Sequence, residues 1–189
     1  MIRAGVIGLG KMGISHCSIL GAHPEVDLVG VCDASSLVIE VFQKYSKYQC
    51  FTDFRKMIDT CKLDIVLIAS PTKVHSEMVE YALRNNLHVF CEKPFSLDPS
   101  EGLALARQAN ALGLVNQVGY HNRFIATFNE LKMLLSFNAL GQLCHFTAES
   151  YGPVVLKEKQ GTWRSEKNQG GGCLYDYASH TIDLVCYLF

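Results

Sequence analysis

Residues 4–13 read AGVIGLGKMG, and the segments on either side of these glycines narrow the fold sharply. Residues 2–7 form a short apolar run, the pattern of a strand covered on both faces in a parallel sheet. Residues 11–20 contain no proline and set Met12, Ile14, Cys17, Ile19 and Leu20 at roughly helical spacing. Alone, glycines at positions 8, 10 and 13 would mark no more than a tight turn. Between a strand and a helix each has a separate task. Gly8 lets the chain turn sharply, Gly10 lets backbone amides approach a diphosphate, and Gly13 lets the helix pack close to the strand. The anion would then meet the amides of Lys11, Met12 and Gly13 at the positive end of the helix dipole.

A dinucleotide-binding unit also needs an acidic side chain for the adenosine ribose, about 20 residues on, at the end of its second strand. Residues 26–32 are apolar enough to be that strand, and Asp33 follows them. A carboxylate there accepts hydrogen bonds from ribose hydroxyls and repels a 2′-phosphate. Ala34, Ser35 and Ser36 supply no Arg or Lys to hold such a phosphate, which favours NAD over NADP.

Signals for strand and helix alternate through the first two thirds of the chain, as in a parallel sheet wound on both faces. A helix is expected over 36–45, a short strand near Cys50 and Phe51, and a helix capped by Asp53 and ending near Thr60. Residues 64–69 (DIVLIA) are the most strand-like run, ended by Ser70 and Pro71. A helix over 74–84, a strand over 87–91, a helix opened by Pro99 and a strand over 114–118 complete the set. The expectation is a Rossmann-type α/β domain over 1–120 and the start of an α+β second domain over 121–189. In the latter, a helix fills 126–137, residues 142–150 alternate like a strand with one wet face, 151–170 read as polar loop, and 171–189 become helical.

With Lys+Arg 17 against Asp+Glu 18, the chain lacks the electrostatic footprint of a nucleic-acid or anionic-membrane binder. A small polar ligand is the expected partner. The eight cysteines are scattered without close pairs at zinc-ligand spacing, and several fall in apolar patterns where a thiol acts as a small hydrophobe. They are read as reduced, and no metal is expected. The chain enters a core strand at once, and no apolar run approaches the ~18 residues that span a bilayer; a cytoplasmic location is expected.

At Glu92-Lys93-Pro94, with the glycines already placed, the sequence resembles the Gfo/Idh/MocA family of nicotinamide-dependent sugar and polyol oxidoreductases. The resemblance covers essentially the whole chain. It rests on Gly8, Gly10, Gly13 and Asp33; on Ser70-Pro71-Thr72 with His75; on Glu92-Lys93-Pro94; on residues 119–123; on Trp163-Arg164; and on GGGCLYDYASHTIDL from Gly170 onward. Glu-Lys-Pro and Asp176-x-x-x-His180 are its specific pieces. It implies NAD at the glycine turn, contacted also by Ser70, Pro71, Thr72, His75, Glu92 and Lys93, with a cis bond before Pro94. It further implies that Lys93, Asp176 and His180 bind and deprotonate a substrate carbinol while its hydride passes to NAD. Ala178 departs from the pattern, since many relatives carry glycine there, and bears on substrate size rather than chemistry.

The residues alone leave some of these roles open. Lys93 at the end of a parallel strand is placed for a ligand or is a solvated loop lysine, and Glu92 pairs with it or lies on the surface. Asp176 and His180, four apart, share a helix face as a catalytic couple or as a simple ion pair, with Asp183 near enough to orient the histidine. His75 touches cofactor or is structural. Arg123, beside His121 and Asn122, meets substrate or bridges two domains. Trp163 and Arg164 line a sugar pocket or only pack. His16, His23, His88 and His145 receive no role. Relatives carry a longer second domain, so a catalytically inactive, truncated nucleotide-binding protein is the alternative to a dehydrogenase, and a piece of a longer protein is a third. A homo-oligomer is expected and, if the chain ends at Phe189, poor solubility or association through 182–189.

Overall fold

A computed structural model describes residues 1–151 and 171–189, which form two compact units, Met1–Gly119 and Tyr120–Phe189. The first alternates strand and helix throughout: β1 (Ile2–Ile7), α1 (Lys11–Ala22), β2 (Val26–Cys32), α2 (Ser36–Tyr45), β3 (Gln49–Phe51), α3 (Phe54–Cys61), β4 (Ile65–Ile68), α4 (His75–Arg84), β5 (His88–Cys91), α5 (Pro99–Ala111) and β6 (Asn116–Val118). All neighbouring strands pair in parallel, in the order β3-β2-β1-β4-β5-β6. Such a sheet must be covered on both faces, and the period-2 alternation of side chains divides its residues accordingly. Val6, Val31 and Leu67 join Cys17 of α1 and Ile39 of α2 in one cluster. Their strand neighbours Ile7, Cys32, Val66 and Ile68 join Met57 of α3, Val79 and Leu83 of α4 and Leu105 of α5 in the other. Each such side chain taken from water contributes roughly 1.5–3 kcal/mol.

Local chemistry starts most of these helices. Asp53 accepts a hydrogen bond from the Arg55 amide at 2.9 Å, and Asp98 one from the Ser100 amide at 2.8 Å with Pro99 as first helical residue. A 3-10 turn, Thr72–Val74, leads into α4.

In the second unit a 3-10 turn (His121–Phe124) precedes α6 (Ala126–Ser136), and a π-helical turn (Leu174–Ala178) precedes α7 (Ser179–Leu188). The strand expected over 142–150 is absent. These residues belong to no sheet and all are exposed, because an alternating sequence becomes a strand only with a ladder partner, and none stands beside it among the described residues. Residues 152–170 lie outside the described residues, and so does most of the expected polar loop.

Candidate cofactor-binding and catalytic residues

The turn after β1 is built by its own backbone. The Gly8 amide donates to the Cys32 carbonyl at 2.8 Å, and Gly8 has φ +90°, a conformation that L side chains rarely adopt. A Cβ at Gly13 would stand 1.7 Å from the Gly8 carbonyl oxygen, so α1 can start this close to β1 only without a side chain there. Gly10 differs: its φ is −68°, and a Cβ would meet nothing within 4 Å. Nothing among the described residues demands glycine at that position. Gly10 is also the N-cap of α1, with no side-chain cap and no acidic residue in the first turn. The amide end of a 12-residue helix thus opens on a space where a Cβ at position 10 would meet no described atom within 4 Å, which fits a diphosphate.

Asp33 stands beside this turn. Its Oδ2 accepts from the Leu9 amide at 2.7 Å and its Oδ1 from the Ser35 amide at 2.9 Å. Each carboxylate oxygen retains a further lone-pair direction for ribose hydroxyls, and the residues therefore fit an adenine dinucleotide at the C-terminal edge of the sheet.

After β4, His75 is buried, with 1% exposure. Its Nδ1 lies 3.0 Å from the Pro94 carbonyl and its Nε2 2.8 Å from the Ser70 carbonyl. The ring ties the loop after β4 to the loop after β5. Burial pulls its pKa below the ordinary histidine value, against the hydrogen bonds to Ser70, Pro94 and Phe95 and the charge of Glu92. Thr72 is buried as well, whereas Pro71 is exposed. The Ser70 hydroxyl turns to the Met78 sulfur at 3.2 Å.

Lys93 follows β5 at the same edge, and the Lys93–Pro94 bond is cis. Glu92 continues the ladder through its amide, 2.8 Å from the Ile68 carbonyl. Its carboxylate accepts from the Lys93 amide at 3.2 Å and meets His16 Nε2 at 2.8 Å. Burial pushes the Glu92 carboxyl upward, but the bonds from His16 and the Lys93 amide, with the charges of His16 and Lys93, outweigh it and hold the group below its ordinary value. His16 is the residue that sequence reasoning missed. Its partner lies 76 positions away, and only the strand order brings α1 alongside the end of β5.

In the second unit the His180 ring stands edge-on to Tyr120 and to His121, at centroid distances of 5.9 and 5.0 Å. Asp176 lies within the π-helical turn and His180 in the first turn of α7. Arg123 binds Asp183 in a two-pronged pair, Nε to Oδ2 at 2.8 Å and Nη2 to Oδ1 at 2.6 Å. Arg123 thus bridges two elements of one unit, and Asp183 serves that arginine. Trp163 and Arg164 lie outside the described residues.

A parallel sheet of this order, with an open glycine turn after the first strand and a carboxylate after the second, defines a dinucleotide-binding α/β protein. The chain belongs to the GFO_IDH_MocA oxidoreductase family with NAD-binding Rossmann fold, whose model matches residues 2–120. Residues 128–189 match the GFO/IDH/MocA C-terminal domain. NAD is the cofactor of this fold. The chain is 31% identical to glucose-6-phosphate 3-dehydrogenase of Bacillus subtilis, covering 100% of this chain and 54% of the relative. It is 29% identical to D-glucoside 3-dehydrogenase of Escherichia coli, covering 99% and 54%. Among solved structures, myo-inositol 2-dehydrogenase from Lactobacillus plantarum superposes with TM-score 0.87 at 28% identity, covering 99% of this chain and 56% of that one. The chain therefore spans about half the length of the curated relatives it matches.

Proposed function

We propose that this chain transfers a hydride between NAD(H) and a secondary alcohol or ketone of a sugar, nucleotide sugar or cyclic polyol. The observation that carries this reading is the grouping, at one edge of one sheet, of the open turn at Gly10, the Asp33 carboxylate and Lys93. The names of the relatives, sugar and inositol dehydrogenases, support the substrate class.

NAD⁺, when bound, supplies the hydride acceptor. The role proposed for Lys93 is to donate a hydrogen bond to the oxygen of the reacting carbinol. That proposed for His180 is to take a hydroxyl proton at a ring nitrogen, a step suited to imidazole near neutral pH. Asp176 is proposed to hold a neighbouring hydroxyl, and Arg123, Trp163 and Arg164 are the further residues proposed for substrate binding. The free cysteines support a reducing, cytoplasmic setting, and no helix among the described residues is long and apolar enough to cross a membrane.

A fluorescence titration with NADH and a panel of sugars and polyols with NAD⁺ test the reading. Lys93→Ala should keep NADH affinity within about threefold and lose turnover by about a hundredfold or more. Undiminished turnover in Lys93→Ala removes the lysine from the mechanism. NADH binding with no turnover on any substrate favours the inactive nucleotide-binding protein.

A further inference from the structure

We propose that His16 is a positioning residue for Lys93, acting through the carboxylate of Glu92. The inference rests on the role given to Lys93 above. His16 belongs to α1, the helix whose amide end opens on the diphosphate space, and its ring reaches across to the residue that precedes the lysine. The pair is close, 2.8 Å between Nε2 and Oε1, and both side chains are well shielded, with 16% and 13% exposure. The ring is itself held edge-on against Phe90 of β5, at a centroid distance of 5.2 Å.

The other carboxylate oxygen is confined too. It accepts from the Lys93 amide, and a Cβ at Gly119 would stand 3.0 Å from it, so position 119 leaves room for the carboxylate and little more. Glu92 is therefore fixed by strand pairing through its amide, by the imidazole through one oxygen and by its own turn through the other. This decides where the lysine side chain begins. Without the ring, a shielded carboxylate needs another donor, and its rearrangement shifts the turn whose next residue is Lys93.

The test compares His16→Leu, which removes the donor, with His16→Gln, whose amide can replace it. Lysines are reductively methylated with ¹³C-formaldehyde, which preserves their charge, and the Lys93 resonance is identified by its loss in Lys93→Arg. The spectrum is read without nucleotide. The expected result is a displaced Lys93 resonance in His16→Leu and its return in His16→Gln. NADH affinity should stay within about threefold in both, and turnover should fall about tenfold in His16→Leu alone. An unmoved Lys93 resonance in folded His16→Leu overturns the proposal, as does equal damage in both variants with NADH affinity lost in each. Failure of the parent protein to bind NADH instead overturns the hydride-transfer reading, and the lysine spectrum remains an independent measurement.

Discussion

At the scale of single residues, the three glycines of the first turn answer to three different constraints, and substitution separates them. Gly13→Ala drives a methyl group into the Gly8 carbonyl, a backbone atom that cannot step aside. A loss on the order of 3 kcal/mol or more is expected in chemical denaturation, and NADH binding is lost with it. Gly10→Ala meets no atom of the protein and has an ordinary φ. Its melting temperature should stay within about 3 °C of the parent, while NADH affinity falls at least about tenfold because the methyl group stands where the phosphates go. Equal NADH affinity in Gly10→Ala and the parent would place the nucleotide elsewhere. These glycines and Asp33 were legible in the sequence, because strand, turn and helix are consecutive and the acid lies at a fixed offset. The His16–Glu92 pair was not, since no local pattern connects positions 76 apart.

At the scale of elements, two loops at the C-terminal edge of the sheet are joined by the buried His75 ring. A neutral imidazole carries one N–H for the two carbonyls it faces. Protonation would satisfy both, yet burial opposes the charge and sets the balance. With the folded pKa lowered, the unfolded chain binds the proton more readily, so the contribution of His75 is fully present above about pH 6.5 and is lost as pH falls below that value toward the folded pKa. Thermal melts from pH 7.5 to 5 should show a decline that is shallower in His75→Gln, and parallel profiles would count against this assignment. The elements also show where sequence patterns stop. All six strands and the helices between them follow from period and caps, with ends shifted by a residue or two. Residues 142–150 carry a strand's alternation without becoming one, because pairing is supplied by other segments. The π-helical turn at Leu174–Ala178 changes the rotation between Asp176 and His180, and nothing in their spacing announces it.

At the scale of the whole molecule, the cysteines report burial directly. Cys17, Cys32, Cys61 and Cys91 are buried, and Cys144, Cys173 and Cys186 are exposed. Burial pushes Cys17 to about 11 and, with help from the charges of Asp33 and Asp53, Cys32 to about 12; Cys91 is also driven upward. Ellman's reagent at pH 8 should therefore find three fast thiols in the native chain, a slower Cys50, and the remaining four only after unfolding. Rapid reaction of more than four would contradict this packing. Among the described residues, both hydrophobic clusters are drawn from residues 4–114. The nucleotide-capturing half is thus a self-sufficient cartridge: residues 1–119 expressed alone should melt cooperatively and quench NADH fluorescence. Grafted onto an unrelated reporter, the same cartridge would serve as a portable sensor of the cell's reduced dinucleotide.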